Sequence, residues 1–553
     1  MTADLLHPAW PFVLSAAALA LTPPAGRRLI ALTAPAVAVV LAWCMPDGTR
    51  AAVQLMGQDL LWLRVDALGR VFALAFALLG SLGSLYALGQ PRRRLLVSAH
   101  GAAAAAIGVA LAGDWLWFYL AWESLAVASF VLVMDGPGRR AGAAAFRYLL
   151  VHLAGGAALL AGIALHVAGG GGLNVEPVTA PGPAALVLLA FMVNAAVPPL
   201  HAWLTDAYPE SSPPGSVFLS AFATKAAVCA LARVFPGLEL LVPFGVAMAL
   251  WGVVFAVLEN DIRRLLAYHI VSQVGYMVTA VGVGTPLALA GAAAHAFCHI
   301  LYKGLLLMGA GAVVHATGRG RLTELGGLAR AMPATLALYM VGALSISGAP
   351  LLNGFVSKSL VVAAAEADHR PLVAALLHLA SVGTFLHTGL KLPWFTFAGP
   401  RRGPAPGPVP RSMTAAMLLA AGLCLLIGLW PAGLYRLLPF PIDWEPYTPA
   451  HVLESLELLA GTALGFALLR RHLGGEPTIT VDTDRLYRAL GRVVADHLAP
   501  AAARGSARLE AAAARLTAPP LGTARAVAGP VGYTLLAAVA ALALGLLLLG
   551  GPG

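Results

Sequence analysis

The chain consists almost entirely of apolar runs that are each long enough to cross a lipid bilayer. A membrane-spanning helix needs about 20 mostly apolar residues to cross a hydrocarbon layer of ~30 Å. Of the 553 residues, 59% are hydrophobic and only 11% are charged. Soluble domains carry roughly 25% charged residues, and disordered chains combine low hydrophobicity with high charge, so both classes are excluded. The sequence predicts an all-α polytopic membrane protein. The sixteen candidate spans lie near 8–22, 28–45, 66–88, 95–113, 115–134, 142–168, 183–204, 215–235, 239–258, 264–282, 286–315, 333–364, 371–398, 412–436, 450–470 and 530–549.

The loops between these spans alternate in charge. Loops rich in Lys and Arg face the cytoplasm in membrane proteins, so the pattern predicts an N-terminus outside the cytoplasmic (inner) membrane of a bacterium. The loop at 201–213 is an exception, because it falls on the arginine-rich side yet contains no arginine. The formal net charge of +10 follows from these loops and indicates no nucleic-acid partner. The basic loops contain Arg27-Arg28, Arg92-Arg93-Arg94, Arg139-Arg140, Arg263-Arg264, Arg319 and Arg321, Arg401-Arg402, and Arg470-Arg471.

Two spans are interrupted by helix-breaking residues. The span near 183–204 contains Pro198-Pro199, and the span near 333–364 contains Gly348-Ala349-Pro350 followed by Asn353-Gly354. Irregular backbone at membrane depth is tolerated only within protein or beside a water-filled cavity. In transporters, such broken helices mark the site of transport. We therefore expect both breaks to lie at the functional site.

Lysine and arginine are distributed differently along the chain. Of the 35 basic residues only four are lysines, namely Lys225, Lys303, Lys358 and Lys391, and all four fall in apolar or broken spans. Arginine stays charged, whereas a buried lysine can lose its proton because desolvation disfavours the charged form. An ionisable group inside a membrane is a candidate functional residue. The alternative is a lysine that reaches the headgroups from a helix end, and it fits Lys391 best because that residue lies near a loop.

Further ionisable groups accompany the lysines. Glu123 is the only acidic residue of its span. His295, His299 and Lys303 follow at i, i+4 and i+8, which places them on one helix face. Histidine titrates nearest neutral pH, so this row predicts a proton relay. A zinc site is the alternative, but no third ligand and no HExxH motif accompany the histidines. We therefore expect no metal and no cofactor.

Five stretches in this order resemble the antiporter-like membrane subunits of respiratory complex I, Mrp-type cation/proton antiporters and membrane-bound hydrogenases. Each stretch alone is a weak signal, but together they cover about residues 60 to 400. Glu123 also falls where that family carries its essential helix glutamate. The stretches are PLHAWLTDAY (199–208), FATKAAVCALAR (222–233), DIRRLLAYHIVSQVGY (261–276), HAFCHILYKGLLLMGAG (295–311) and SGAPLLNGFVSK (347–358).

The resemblance implies a fold of fourteen core helices, and with the extra spans we expect about 14–16 transmembrane helices. It implies two five-helix repeats that are inverted relative to each other in the membrane, each with one broken helix. It also implies that the family's translocation groups form two half-channels joined by a central polar axis. The first half-channel would contain Glu123, the first broken helix and Lys225, and the second would contain His295, His299, Lys303 and Lys358.

One departure from the family pattern affects the first half-channel. The family usually carries a lysine on the first broken helix, where this chain has Asn194. Because asparagine cannot carry a proton charge, Glu123 lacks its expected ion-pair partner unless Arg147 or Lys225 takes that role. The first half-channel would then be altered, cation-selective or reduced in function. The remaining polar positions of interest are His201, Asp206 and Lys391, with His269 and Thr205 as two further departures from the family pattern.

The features together divide the chain into six segments. In the tail, apolar residues recur at helical spacing among arginines, which predicts an amphipathic helix at the cytoplasmic surface. The alternative is a basic, partly disordered linker. The segments are 1–94 (N-terminal helices), 95–235 (first inverted repeat), 239–398 (second inverted repeat), 412–470 (C-terminal core helices), 477–526 (amphipathic segment) and 530–549 (last span).

The predicted function is translocation of protons, or exchange of Na⁺ and protons, by a membrane subunit of a multisubunit complex, with no redox catalysis of its own. The chain has no P-loop and no GxGxxG after a strand. Its four cysteines are scattered through apolar runs without a CxxC, which predicts four buried thiols rather than disulfides or metal ligands. Partner subunits or an ion gradient must therefore supply the energy. The expected partners are other subunits of a Mrp-like or complex I-like assembly, H⁺ or Na⁺, and lipid. The alternatives are an energy-coupling subunit for inorganic-carbon uptake, a quinone-binding redox subunit and a structural scaffold.

Overall fold

The computed structural model describes residues 7–474 apart from residue 56, together with isolated positions at 476, 482, 483, 485, 488, 489, 496, 497, 500 and 504. Most of this part of the chain is α-helical. The helices are α1 (Trp10–Leu21), α2 (Pro24–Cys44), α3 (Ala67–Ala87), α4 (Arg93–Leu111), α5 (Trp115–Met134), α6 (Gly138–Ala168), α7 (Pro181–Asn194), α8 (Ala202–Ala207), α9 (Pro213–Leu219), α10 (Ala223–Val234), α11 (Leu241–Leu258), α12 (Ile262–Val283), α13 (Pro286–Thr317), α14 (Pro333–Ser347), α15 (Asn353–Ala367), α16 (Pro371–Thr384), α17 (Leu392–Phe397), α18 (Arg411–Leu429), α19 (Pro431–Tyr435) and α20 (Pro449–Leu469).

The multi-pass membrane architecture is confirmed. Twelve helical spans among the described residues are long and apolar enough to cross a bilayer, and α1, α7 and α14 are shorter apolar helices. Each of the first fifteen predicted spans coincides with a helix or with a broken pair of helices. The predicted last span at 530–549 and most of the predicted amphipathic segment at 477–526 lie outside the described residues.

Aspartate side chains cap the starts of several helices, and glycines end two of them. Asp66, Asp114 and Asp261 precede α3, α5 and α12, and each carboxylate accepts a hydrogen bond from a backbone N–H in the first turn. An aspartate at this position satisfies donors that the helix itself leaves unpaired. Gly284 and Gly318 end α12 and α13 in the left-handed conformation, with φ of 72° and 69°, which glycine adopts without a steric penalty.

The loops meet at two ends of the helix bundle, and the arginine-rich loops share one of them. The exceptional loop at 201–213 lies at this arginine end and receives its arginines from a neighbouring element. Arg263 donates to the Ser211 carbonyl at 2.7 Å, and Arg264 lies 3.5 Å from the Glu210 carboxylate. The missing arginine in that loop is therefore supplied by the start of α12.

The opposite end is held by its own ion pairs. Arg233, at the end of α10, binds the Asp66 carboxylate through Nη2 at 2.7 and 2.9 Å. Arg370, between α15 and α16, binds Glu239 through Nη2 at 2.8 Å. These contacts join loops that are far apart in sequence, so each end of the bundle is a connected surface.

A β-hairpin at this opposite end is a small, unpredicted addition to the all-α fold, which is confirmed. Strands β1 (Arg50–Leu55) and β2 (Gln58–Arg64) pair in antiparallel fashion between α2 and α3. The hairpin packs onto the bundle, because the Leu61 carbonyl accepts from Gly113 N at 3.0 Å. Each strand is too short to stand out in a search for runs of about 20 apolar residues.

Both predicted helix breaks are present, and two further irregularities were not predicted. The first predicted break separates α7 from α8, and the second separates α14 from α15. A third break at 220–222 separates α9 from α10, and a π-helical turn spans Phe385–Lys391 between α16 and α17. Lys225 therefore lies near the start of α10, directly after this unpredicted break.

Candidate functional site

Three ionisable side chains form a row along α13, as their spacing predicted. His295, His299 and Lys303 are all fully buried, with 0% exposure. The two imidazole ring centres are 6.3 Å apart. His295 Nδ1 lies 3.2 Å from Ser357 Oγ on α15, which connects the row to the second broken helix. The row therefore extends from the centre of the bundle toward α15.

His299 is the middle residue of the row on α13, between His295 and Lys303. Both of its ring nitrogens are buried without a hydrogen-bond partner among the described residues. Buried polar atoms are nearly always paired, by ordered water if not by protein. The two ring nitrogens of His299 are therefore available to a hydrogen-bond partner such as water.

Each of the four lysines donates to backbone carbonyls. Lys225 Nζ lies 2.7 Å from the Ser220 carbonyl, which the break between α9 and α10 leaves free. Lys303 Nζ lies 3.2 Å from the Leu266 carbonyl in α12. Among the ion pairs of the described residues, none contains a lysine. These ammonium groups are therefore held by carbonyl dipoles rather than by carboxylates.

Lys358 lies on α15 directly beside the second break. Its Nζ donates to the Ile346 carbonyl at 2.7 Å, in the last turn of α14, and to Ser381 Oγ at 3.2 Å. The same ammonium lies 5.3 Å from the centre of the Tyr276 ring. Unpaired carbonyls concentrate negative partial charge at the C-terminal end of a helix. The break therefore creates a site for a cation where the helix ends inside the bundle.

Lys391 has a different environment from the snorkelling lysine that we considered. It is buried at the end of the π-helical turn and donates to the Val257 and Glu259 carbonyls at the C-terminal end of α11. Basic side chains commonly cap helix ends in this way. Lys391 thus does not reach freely toward a headgroup region.

Glu123 on α5 has no cationic partner among the described residues. Its Oε1 is buried against α6 without a hydrogen-bond partner. A Cβ at Gly156 would lie 2.7 Å from Glu123 Cδ, so this glycine leaves the space that the carboxylate occupies. Asn194 is buried at the end of α7, and its Oδ1 also lacks a partner. The glutamate therefore depends on shape, not on an ion pair, for its position.

Neither of the two proposed substitutes pairs with Glu123. Arg147 is bound to Asp206 through Nε at 2.6 Å and Nη2 at 2.9 Å. Lys225 uses its Nζ for Ser220 and, at 3.1 Å, for Thr224. The second broken span therefore contacts the row on α13 directly, through Ser357 and His295. Among the described residues, no such contact connects Glu123 or Asn194 to that row.

His201 participates in a cluster that sequence reasoning missed. Its Nε2 donates to the Asp482 carboxylate at 2.9 Å, and Tyr268 OH donates to the same oxygen at 2.7 Å. Burial opposes ionisation of Asp482, but these hydrogen bonds outweigh it and hold the pKa of Asp482 below its usual value. The tail therefore contributes a carboxylate to the first broken helix, and Arg488 contributes a contact to Asp206 at 3.1 Å. No sequence signal connects positions so far apart.

A second unpredicted cluster consists of two buried histidines. His269 on α12 and His387 in the π-helical turn have ring centres 6.1 Å apart, and all four of their ring nitrogens lack partners among the described residues. We noted His269 only as a departure from the family pattern, and we did not single out His387. A histidine inside an apolar span is the signal that could have identified it.

The arrangement of possible metal ligands and of cysteines can be described for this part of the chain. Within residues 7–474 and the described positions of the tail, no group of three His, Cys, Asp or Glu is arranged to hold a metal ion. The cysteines are unpaired; three are buried and one is exposed, in contrast to our expectation of four buried thiols. They are Cys229, Cys298 and Cys424 in the interior and Cys44 at the surface.

The architecture is similar to that of a chain in a solved multisubunit complex. The fold matches a chain in the structure of the Mrp complex from Dietzia sp. DQ12-45-1b with a TM-score of 0.71. The match covers 84% of this chain and 99% of that one, at 24% sequence identity. At this identity, the comparison establishes the fold alone.

Curated relatives establish the family. The chain is 31% identical over 458 residues to hydrogenase-4 component B of Escherichia coli (strain K12), covering 73% of this chain and 67% of that protein. It is 31% identical over 453 residues to NADH-quinone oxidoreductase subunit L of Mycobacterium tuberculosis, covering 75% and 71%. Residues 112–384, which contain the row of histidines and three of the four lysines, match the family model for the transmembrane region of these proteins. The chain therefore belongs to the NADH:quinone oxidoreductase/Mrp antiporter transmembrane family.

Proposed function

We propose that this protein is a membrane subunit that translocates protons, or exchanges a cation for protons, within a multisubunit complex. The observation that carries the proposal is the burial of five ionisable side chains inside the bundle, with exposures of 0 to 5%: Lys225, His295, His299, Lys303 and Lys358. Burying ionisable groups in a membrane is costly, and such groups mark ion pathways. A structural scaffold would gain nothing from burying them.

The row supports a relay of protons between two helix breaks. Lys225 and Lys358 each hold their ammonium against carbonyls that a break leaves free. Between them, His295 and His299 can accept a proton on one ring nitrogen and release one from the other. Water beside His299 would complete the connection to Lys225. We propose that proton passage along this row is the elementary transport step.

The assignment of half-channels is part of the same proposal. The second half-channel would contain His295, His299, Lys303 and Lys358. The first would contain Lys225 and Glu123, with Asn194 in place of a protonatable group. Because Glu123 and Asn194 lack partners in the described residues, water in the first half-channel would have to bridge them to Lys225.

The orientation in the membrane follows from the arginine end. The positive-inside rule places these loops in the cytoplasm, so we propose that α1 begins on the outer face of a bacterial cytoplasmic membrane. The driving force would come from partner subunits of a complex I-like or Mrp-like assembly, or from a gradient of the exchanged cation.

The test is ion flux in sealed vesicles that contain the assembled complex, with three substitutions compared. Lys225→Met preserves volume but removes the proton carrier, and Lys225→Arg keeps a charge that cannot be released. Both should abolish flux. Lys391→Met is the matched control, because it removes a buried lysine that also donates to helix-end carbonyls. It should retain most of the flux.

Assembly is checked on a native gel before flux is compared. If the complex with Lys225→Met assembles and still translocates at the wild-type rate, the relay is refuted. Flux that survives in Lys225→Arg alone would mean that Lys225 acts as a fixed charge. Glu123→Gln, measured in parallel, reports whether the first half-channel works despite Asn194.

A further inference from the structure

A polar cleft opens from Lys358 toward the surface of the bundle, between α15, α16 and α20. The cavity volume open to water is about 50 Å³, which is enough for at least one water because each needs roughly 10–15 Å³ by this measure. The titratable groups that line it are Lys358, His378, His451 and Glu454. His378 Nε2 lies 3.0 Å from Glu454 Oε1 across the cleft. The cleft thus connects the last lysine of the row to a histidine–carboxylate pair.

Exposure increases step by step along this cleft. Lys358 and Ser381 are each 5% exposed. The side chain of His378 is 31% exposed, and that of Glu454 is 54% exposed. Ser381 Oγ accepts a hydrogen bond from Lys358 Nζ. Ser381 lies three residues after His378 on α16, so the side chains of Ser381 and His378 share one helix face. The polar groups therefore form a graded path from the interior to the exterior.

Helix geometry gives the direction of this path. α15 ends, and α16 and α20 begin, at the end of the bundle opposite the arginine loops. With a rise of 1.5 Å per residue, Lys358 lies about 14 Å from the end of its helix. His378 lies about 10 Å, and Glu454 about 8 Å, from the starts of theirs. The pair is thus shallower than Lys358 on the same side.

The packing of α20 holds the cleft in place. Ser455 Oγ donates to the Gly348 carbonyl at 2.7 Å, which ties α20 to the break between α14 and α15. Gly348 adopts φ of 79°, so its carbonyl points away from the helix that it ends. Glu454 is therefore positioned by the same break that positions Lys358.

We propose that His378 and Glu454 are the final proton-relay residues between Lys358 and the aqueous phase at the end of the bundle opposite the arginine loops. This inference rests on the proposed function. One proton leaves the Lys358 ammonium through the Ser381 hydroxyl or water. His378 accepts it on one ring nitrogen and releases one from the other to the Glu454 carboxylate. Glu454 then releases the proton to water, which leaves Lys358 as the neutral amine until the row supplies its next proton. His378 is left as its other neutral tautomer until the proton moves back to the first ring nitrogen.

Two substitutions in the assembled complex test the pair. Glu454→Gln and His378→Ala should each lower proton flux about tenfold or more, because positioned proton-transfer groups contribute roughly 10²- to 10⁴-fold and water replaces them only in part. Glu457→Gln is the matched control, since this exposed carboxylate lies one turn further along α20 and does not line the cleft. It should leave flux unchanged.

Chemical rescue separates proton transfer from a structural role. Imidazole added on the side opposite the arginine loops should restore much of the flux of His378→Ala, because the cleft is open to small molecules. A structural defect would not respond to a proton carrier. If a substitution prevents assembly on a native gel, His378→Gln and Glu454→Asp replace it, and only the aspartate variant should retain partial flux.

The outcomes distinguish this inference from the proposed function. If Lys358→Met abolishes flux while Glu454→Gln and His378→Ala transport normally, protons leave by another path and the inference is wrong, although the proposed function stands. If the wild-type complex carries no proton flux, or if Lys358→Met has no effect, the proposed function itself fails.

Discussion

Substituting Gly156 should disable transport without destabilising the protein. Gly156 and Gly155 are adjacent in α6 and both buried, but they face different neighbours. A Cβ at Gly156 would lie 2.7 Å from Glu123 Cδ and closer still to Oε1. A Cβ at Gly155 would lie 3.4 Å from Val193 Cγ1, which is ordinary van der Waals contact. The two positions therefore form a matched pair within one helical turn.

For Gly156→Ala, the gain in helix propensity and the cost of moving the Glu123 side chain nearly cancel in the free energy of unfolding. Replacing glycine by alanine within a helix gains about 1 kcal/mol. The Glu123 carboxylate must rotate away, and an off-rotamer side chain costs about 0.5–1.5 kcal/mol. The net change should thus be within about 1 kcal/mol of zero. Gly155→Ala keeps the same gain without the clash, so it should be neutral or slightly stabilising.

Function should respond differently from stability. If the position of the Glu123 carboxylate is required in the first half-channel, Gly156→Ala lowers flux to the level of Glu123→Gln, while Gly155→Ala transports normally. Thermal unfolding in detergent measures stability, and a pH-sensitive dye in sealed vesicles measures flux. Normal flux in an assembled Gly156→Ala complex would refute the reasoning that the glycine exists to place this carboxylate.

Two further predictions concern the second break and the docked tail. Gly354→Ala should lower the melting temperature, because its Cβ would lie 2.5 Å from the Ser345 carbonyl carbon and the backbone there cannot move away. Overpacking of this kind costs about 1–3 kcal/mol. An unchanged melting temperature would contradict this prediction. Asp482→Ala should destabilise the protein by about 1–3 kcal/mol, because it leaves buried His201 and Tyr268 donors unpaired. Since the pKa of Asp482 is depressed in the folded protein, its contribution is present above the unfolded value near 4 and is lost only as the pH falls through the folded value. The deficit measured by unfolding should therefore shrink as the pH is lowered below about 4, and a deficit that stays the same in acid would be inconsistent with it.

The spans and two of the breaks could be predicted because their causes are local. A run of apolar residues has no other stable place than a membrane, and Pro198-Pro199 or Gly348-Ala349-Pro350 removes helical hydrogen bonds wherever it stands. The confinement of lysine to the spans also predicts candidate site residues, and this signal depends on composition and not on geometry.

The remaining features depend on contacts between distant residues. The break at 220–222 contains neither Gly nor Pro, and it is stabilised by the Lys225 ammonium, which takes the carbonyl that the break releases. His201 meets Asp482 across 281 positions of sequence. The loop at 201–213 contains no arginine of its own, because its arginine contacts come from α12. Sequence alone could not place these partners, because each pairing arises only when the helices pack.

The way in which the charges are held separates anchors from carriers. At an effective dielectric near 20, a carboxylate about 4 Å from an ammonium stabilises its charge by about 4 kcal/mol, which is roughly a thousandfold shift in proton affinity. Arg147 is held in this way by Asp206. The end of a helix stabilises a cation by only about 0.3–1 kcal/mol, and at most ~2 kcal/mol when partly buried. Lys225 and Lys358 rest on such ends, so a proton that arrives on a neighbouring histidine can shift their charge state, as a relay requires.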